Sequence, residues 1–223
     1  MELKGKIIAF LGDSITEGAT LHDAANRYDN ALARRCGLER VYNMGVGGTR
    51  LAHQRVPSDK PRHDLCFCGR AYDIPEDAQV IVVYGGINDY RHGDAPIGRM
   101  GDSTPATFCG AVAFLMALLK TQHPQATVVF LTPQKCVREG DDYLHPSTNP
   151  HKLGDAQPEK YYCDVIVQTA QRFQIPVLNL YERLPVDPMD PASRGKYTSD
   201  GVHLNDAGHL LLSRLLEDFL RSL

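Results

Sequence analysis

The sequence has no strongly charged segment. Its 223 residues carry a formal net charge of -3, with no block of basic residues and no acidic tail. A protein that binds nucleic acid through phosphates needs a basic surface, so this charge balance gives no reason to expect such a partner.

Long hydrophobic runs are also missing. The apolar stretch near the N-terminus, "KIIAFL", is shorter than the roughly 7–15 residues of a signal peptide, and no small-residue cleavage site follows it. No run approaches the roughly 18 apolar residues of a membrane span. We therefore expect a soluble, cytoplasmic protein without a membrane partner. A chain trimmed of its leader would give the same pattern, which leaves secretion open.

The cysteines lack the spacing of a zinc site. "CFC" lies close to His63 and Asp64, but Cys-x-x-Cys followed by a second ligand pair does not occur. A domain of this length does not need disulfides for stability. We predict buried or incidental thiols in a reducing compartment, and no metal site. The cysteines are Cys36, Cys66, Cys68, Cys109, Cys136 and Cys163.

Short, continuous apolar runs are the main structural signal. They are rich in Val, Ile and Leu and end in Gly, Pro or a polar residue, which is typical of strands buried on both faces of a parallel sheet. The runs are "KIIAFLG", "RVYNMGV", "AQVIVVYGG", "ATVVFLTP" and "IPVLNLY".

Helical segments separate these runs. The pattern predicts a helix over residues 26–36 closed by Gly37, and another over residues 103–124 capped by Ser103 or Thr104. Two more are predicted over residues 158–174 and 205–223, the last capped by Asn205 or Asp206. The alternation predicts one domain over residues 1–223, a three-layer α/β/α sandwich around a parallel, flavodoxin-like sheet of about five strands. The polar segment 137–158 is too long for an ordinary connection, and a functional loop and a surface excursion both fit it.

The stretch "GDSITEG" raises three interpretations of Ser14. Taken alone, it favours Asp13 or Ser14 as a helix cap. A phosphate cradle would need the Lys-Ser/Thr of a P-loop or a Gly-x-Gly-x-x-Gly turn, and neither is present. A nucleophilic serine would need a base, an orienting acid and oxyanion donors from elsewhere in the chain.

Other segments of the chain offer such groups. In "SDGVHLN", the carboxylate of Asp200 can hold one imidazole nitrogen of His203 and leave the other as a base. "YNMGVGGT" and "YGGINDY" follow two predicted strands and offer glycine N–H groups and the Asn88 amide. Each element alone is better explained by an ordinary turn or a surface histidine. In a parallel sheet, however, strand ends meet at one edge, which would bring these groups together.

The four segments "GDSITEG", "NMGVGG", "GGIND" and "DGVHLN" occur in this order from Gly12 to Asn205. The set resembles the GDSL, or SGNH-hydrolase, family of esterases and acylhydrolases. The first segment has Ile where the family name has Leu, a common apolar exchange.

The resemblance implies a role for each matching residue. Ser14 would be the nucleophile, His203 the general base and Asp200 its partner. The oxyanion hole would combine the Ser14 N–H, the Gly48 N–H and the Asn88 side chain, with Gly47 as the alternative glycine. Asp13 and Asp89 belong to the motifs and are interpreted mainly as turn scaffolding. The candidate substrate contacts are Asp13, Gly47, Arg50 and Asp89.

The implied function is hydrolysis of a small-molecule ester without metal or organic cofactor. The polar loop, with Arg138, Asp141, Asp142, His145 and Asn149, favours acetyl or other short acyl groups on a polar alcohol such as a carbohydrate. A lysophospholipase or thioesterase of the same family is the alternative. Two other classes remain, a metal-dependent phosphoesterase using Asp13, His63 and His203, and a non-catalytic carbohydrate-binding domain. The sequence sets no oligomeric state.

Overall fold

The computed structural model describes residues 1–138, 141–152 and 154–223. Glu139, Gly140 and Leu153 of the predicted long loop lie outside the described residues. Its centre is a parallel sheet with the strand order β2-β1-β3-β4-β5. This order is the flavodoxin-like one, so the predicted fold class is confirmed. The strands are β1 (Ile7–Gly12), β2 (Arg40–Gly45), β3 (Val80–Tyr84), β4 (Thr127–Leu131) and β5 (Val177–Leu178).

Helices cover both faces of the sheet. α2 and α9 pack against each other on one side, and α5 and α6 on the other. The α-helices are α1 (Ser14–Glu17), α2 (Tyr28–Cys36), α3 (Phe67–Arg70), α4 (Ile87–Arg91), α5 (Phe108–Gln122), α6 (Glu159–Phe173), α7 (Leu180–Arg183), α8 (Pro191–Tyr197) and α9 (Asp206–Arg221). Short 3₁₀ helices occur at Ala24–Asn26, Pro61–Asp64 and Ala71–Asp73.

The continuous apolar runs follow from this double covering. Ile8 and Phe10 of β1 pack into the core beneath α2 and α9. Ala9 and Leu11, which point to the other face, pack into the core beneath α5 and α6. Since both faces are buried, no position of the strand needs a polar residue.

Some helix boundaries differ from the sequence prediction. α5 begins at Phe108 and not near Ser103 or Thr104, because Thr107 is the cap and its hydroxyl accepts the Gly110 N–H. Asp102 in turn accepts a hydrogen bond from the Thr107 hydroxyl and holds the preceding turn. The predicted cap of α9 is confirmed, since the Asn205 side chain accepts the Gly208 N–H.

The last strand is also shorter than predicted. Of "IPVLNLY", only Val177 and Leu178 pair with β4, and Asn179 caps α7 by accepting the Glu182 N–H. All six cysteines lie within the described ranges, where each is buried and free. Among the helices that the structure describes, none is long and apolar enough to span a membrane.

α1 lies closely against the end of β2 at Gly45. A Cβ atom at this position would lie 2.1 Å from the backbone nitrogen of Glu17 and 2.5 Å from the carbonyl carbon of Thr16. Only glycine therefore allows α1 to lie against the end of β2.

We expect Gly45→Ala to lower the free energy of unfolding by about 1–3 kcal/mol, because the added methyl group meets backbone that cannot move aside cheaply. Gly195→Ala in α8 is the matched control, since a Cβ atom at Gly195 would have no other atom within 4 Å. Alanine within a helix should leave stability unchanged or raise it by up to about 1 kcal/mol. Urea denaturation measures both, and equal stabilities for the two variants would contradict the close-approach argument.

Candidate active site

Ser14, His203 and Asp200 form a hydrogen-bonded chain. The Ser14 Oγ lies 2.9 Å from Nε2 of His203, and Nδ1 of His203 lies 2.9 Å from Oδ2 of Asp200. A serine hydroxyl, a base and an acid that orients the base are the three parts of a serine nucleophile. The structure thus brings together three residues that are up to 189 positions apart in sequence.

The local sequence places Ser14 at the point where β1 ends. Gly12 is the last residue of β1, and the buried Asp13 caps α1 by accepting the Ile15 N–H at 3.0 Å. Ser14 is the first residue of α1, and the first N–H groups of a helix have no partner within it. Ser14 thereby presents its hydroxyl and its N–H at the same edge of the sheet.

A tight turn fixes the relation between Asp200 and His203. Oδ1 of Asp200 accepts the backbone N–H groups of Val202 and His203 at 3.0 and 2.8 Å, while Oδ2 faces the imidazole. Partial burial of Asp200 opposes ionisation, but these hydrogen bonds outweigh it and hold its pKa well below the ordinary value. The carboxyl is therefore ionised at neutral pH and can keep a proton on Nδ1, which leaves Nε2 as the acceptor for the serine.

The chain contains the same Asp-x-x-His arrangement a second time. Nδ1 of His145 lies 2.8 Å from Oδ1 of Asp142, in the long loop. The His145 side chain is 74% exposed, whereas that of His203 is 22% exposed and contacts Ser14. The spacing alone therefore does not identify a catalytic pair, and the serine contact distinguishes them.

The candidate oxyanion donors follow the ends of β2 and β3, the two neighbours of the strand that leads to Ser14. Gly47 is the poorer of the two glycine candidates, because its N–H already donates to Oε2 of Glu17 at 2.8 Å. No protein acceptor among the described residues pairs with the N–H of Ser14 or of Gly48. Asn88 is buried, and one N–H of its amide donates to the Thr49 carbonyl at 3.0 Å. An amide nitrogen carries two hydrogens, so the second remains for a ligand.

Gly48 has a backbone that favours glycine. Its φ is +78°, in the left-handed region, and a Cβ atom would lie 2.4 Å from the ring of His63. Any other residue at this position would be strained and would clash with His63.

Asp13, Asp89 and Arg50 have roles within the fold. The carboxyl groups of Asp13 and Asp89 are buried. The two carboxylate oxygens of Asp89 accept the N–H groups of Leu51 and Ala52 at 2.9 and 3.1 Å. Burial raises the pKa of each of these two aspartates to about 6. The buried position of Asp13 and Asp89 matches their interpretation as turn scaffolding. It leaves neither carboxylate exposed for contact with a substrate. The Arg50 side chain is 5% exposed, pairs with Asp64 and still lines a cavity.

The three residues of the phosphoesterase alternative serve separate purposes. Asp13 caps α1, His203 lies between Ser14 and Asp200, and His63 packs behind Gly48. In residues 1–138, 141–152 and 154–223, no group of three or more His, Cys, Asp or Glu side chains is arranged to hold a metal ion.

Two open cavities flank the site. One of about 460 Å³ is lined by His63 and His92, which contact Gly48 and Asn88 respectively, and by Asn149 of the long loop. The other, about 890 Å³, is lined by Asp200 and by loop residues that include Arg138 and Asp141. The long loop thus contributes residues to the walls of both cavities.

The loop is held against α4, the helix that carries Asn88. The Tyr90 hydroxyl lies 2.8 and 3.0 Å from the carbonyl oxygens of Asp142 and His145. The Ser147 hydroxyl donates to the Arg91 carbonyl at 2.7 Å, and the Lys152 ammonium donates to the Asp89 carbonyl. Burial lowers the pKa of Lys152 to about 8.

Sequence reasoning missed Arg70, which connects two strand ends beneath the site. Its guanidinium donates to the carbonyls of Gly12 and Met44 at 2.9 and 2.6 Å and to the Thr49 hydroxyl at 2.8 Å. Burial lowers its pKa to about 10. The only sequence signal is an arginine within the mainly apolar stretch "LCFCGRAY".

Known structures share this arrangement of elements. A protein from Lactobacillus plantarum is 30% identical, with a TM-score of 0.83, and the match covers 99% of this chain and 98% of that one. An acetyl xylan esterase is 19% identical with a TM-score of 0.60, covering 95% and 98%. A two-domain esterase active on acetylated mannans is 19% identical with a TM-score of 0.63, covering 99% of this chain and 49% of that one. No curated protein sequence matches this chain.

A sequence model of the GDSL-like Lipase/Acylhydrolase family matches residues 10–211, which includes all four segments of the site. The chain therefore belongs to the GDSL-like Lipase/Acylhydrolase family and is a carboxylic ester hydrolase.

Proposed function

We propose that this esterase removes short acyl groups, above all acetyl, from a polar alcohol such as a carbohydrate, with Ser14 as nucleophile, His203 as base and Asp200 as its orienting acid. The observation that carries the proposal is the continuous chain from Ser14 Oγ to His203 Nε2 and from His203 Nδ1 to Asp200, with 2.9 Å at each step. These distances lie within the hydrogen-bond reach that proton transfer requires.

The reaction has two acyl-transfer steps. His203 takes the proton of Ser14 while the Oγ attacks the ester carbonyl, and the resulting oxyanion is held by the N–H groups of Ser14 and Gly48 and by the Asn88 amide. His203 then gives the proton to the leaving alcohol oxygen as the ester bond breaks. Water attacks the acyl-serine by the same route, which releases the acid and restores Ser14.

The polar side chains that line the 460 Å³ cavity support a hydroxyl-rich alcohol. The cationic Arg50 and Lys60 are balanced by Asp59 and Asp94, so the lining carries no net charge from these groups. Burial lowers the pKa of His92 to about 3, so its imidazole is neutral and adds no charge to the lining. A wall with both donors and acceptors suits a sugar better than it suits an acyl tail.

The remote structural neighbours agree with this substrate class. One is an acetyl xylan esterase, and another is an esterase active on acetylated mannans. A lysophospholipase or thioesterase would need an apolar channel for a long chain. In the 460 Å³ cavity the apolar side chains are those of Val56 and Pro57.

Replacement of the proposed nucleophile gives the first functional prediction. Ser14→Ala should lower kcat by a factor of about 10³ or more, since the oxyanion donors alone cannot form an acyl-enzyme. Hydrolysis of nitrophenyl acetate measures the loss, and circular dichroism checks that the fold is intact. The exposed Ser103→Ala serves as control and should retain full activity.

Labelling by a fluorophosphonate probe separates an enzyme from a silent carbohydrate-binding domain. The wild type and Ser103→Ala should each take up one label, and Ser14→Ala none. Activity of Ser14→Ala equal to the wild type would remove the nucleophile assignment, and chelator-sensitive activity would favour the phosphoesterase.

The duplicated Asp-x-x-His arrangement offers a matched pair of variants. Asp200→Asn should reduce kcat by about 10²–10⁴-fold, because an amide does not hold the imidazole in the required tautomer. Asp142→Asn removes the equivalent carboxylate beside His145 and should leave kcat unchanged.

The pKa of Asp200 determines how this loss depends on pH. Since hydrogen bonding keeps the pKa below its ordinary value despite partial burial, the wild-type carboxylate stays ionised from pH 5 to pH 9. The deficit of Asp200→Asn should therefore persist at every pH in this window. Profiles of kcat/KM for both variants test this, and recovery of wild-type activity at any of these pH values would refute the assigned role.

A series of nitrophenyl esters tests the acyl preference. We expect kcat/KM to fall at least about tenfold from acetyl to octanoyl, because the added methylenes would displace water from polar groups without supplying hydrogen bonds in return. Release of acetate from acetylated xylan or mannan oligosaccharides should exceed release of fatty acid from lysophospholipid. A preference for octanoyl would favour the lysophospholipase alternative.

A further inference from the structure

His92 connects the candidate oxyanion donor Asn88 to the buried Arg50. We propose that His92 and Arg50 are positioning residues that orient the Asn88 amide so that its free N–H faces the reacting carbonyl. The inference rests on the role proposed for Asn88, and it assigns a task to two residues that do not belong to the serine, histidine and aspartate chain.

The direction of each hydrogen bond follows from the chemistry of arginine. Nη1 of Arg50 lies 3.4 Å from Nδ1 of His92. A guanidinium can only donate, so Nδ1 is the acceptor and the neutral ring carries its proton on Nε2. Nε2 lies 3.0 Å from the Asn88 side chain, and this N–H therefore donates to Oδ1.

The opposite end of the amide is fixed independently. The Thr49 carbonyl can only accept, and it lies 3.0 Å from Nδ2 of Asn88. With Oδ1 held by His92 and one N–H held by Thr49, the amide cannot rotate by half a turn without losing both bonds. The remaining N–H then has one direction, which is the preorganisation that an oxyanion donor needs.

The surroundings keep His92 neutral. Burial, Arg50 and, less strongly, the nearby His63, Arg91 and Lys152 all disfavour the imidazolium and lower the pKa of His92. A protonated ring would place a donor against the guanidinium and lose the Arg50 contact. The contacts of His92 that orient Asn88 are therefore maintained at neutral pH.

Arg50 also reaches the second donor. The same Nη1 donates to the Gly48 carbonyl at 3.2 Å, and Nη2 pairs with Asp64 at 3.2 Å. Gly48 follows β2 and Asn88 follows β3, so these donors belong to strands that are not neighbours in the sheet. One guanidinium thus connects two parts of the oxyanion hole that the backbone alone does not join.

The test compares variants of His92 in the full chain. His92→Phe removes both bonds and should lower kcat for nitrophenyl acetate by about 10- to 100-fold, which is less than the 10²–10³ typical of deleting a donor. KM should change less than about twofold. His92→Gln offers a donor and an acceptor in one side chain and should recover most of kcat. His53→Phe is the control, because His53 is exposed and lines neither of the two cavities.

A double-mutant cycle shows whether His92 acts through Asn88. Asn88→Ala should lower kcat, and adding His92→Phe to it should cause no further loss. Losses that multiply, an unchanged kcat in His92→Phe, or a rise in KM alone would each overturn the inference. If His92→Phe does not fold, His92→Asn is the substitute, since its side chain is too short to join Asn88 and Arg50.

These outcomes separate the inference from the proposed function. A loss in Asn88→Ala without a loss in His92→Phe overturns only the positioning role. An unchanged kcat in Asn88→Ala overturns the role of Asn88 and the inference with it. Absence of any effect in Ser14→Ala overturns the proposed mechanism itself.

Discussion

The register of three parallel strands is the constraint on which the site depends. Gly12, the last residue of β1, lies opposite Gly45 of β2 on one side and Tyr84 of β3 on the other. All three strands therefore end at the same level. The connections from β1 and β3 depart at the switch point of the sheet, where doubly wound folds bind their ligands. Ser14, Gly48 and Asn88 each follow one of these ends within a few residues.

His203 reaches this edge in a different way. It lies in the turn before α9 and does not follow the end of a neighbouring strand. Gln134, which follows β4, accepts from the buried Tyr84 hydroxyl and donates to the Val202 carbonyl at 2.8 Å. The Val137 N–H donates to the Gly201 carbonyl at 2.9 Å. The turn that holds Asp200 and His203 is therefore anchored to β3 and to the segment after β4, so its distance to Ser14 depends on the sheet itself.

The sequence predicts the sheet well because both of its faces are buried, so each strand gives a continuous apolar run. The four site segments are identified by their resemblance to the family, since each of them alone fits an ordinary turn or a surface histidine. The sequence does not predict α3 or α4, since four or five residues show no helical period, and it predicts α1 only through the cap at Asp13 or Ser14. The cap of α5 is equally ambiguous, because Ser103, Thr104 and Thr107 all satisfy the local rule and the contact with Asp102 selects one of them. The sequence does not predict the roles of Arg70 and His92, because these roles depend on burial and on hydrogen-bond partners that are distant in sequence.

The anchoring of the long loop on α4 joins substrate selection to catalysis. Residues 141–152 line the cavities, yet they are bonded to the carbonyls of Asp89 and Arg91 and to the Tyr90 hydroxyl, on the same short helix as Asn88. A redesigned loop for a different alcohol would also move the amide proposed to hold the oxyanion, unless it keeps the Ser147 and Lys152 contacts. A change of substrate specificity in this esterase therefore requires that the long loop and α4 be changed together.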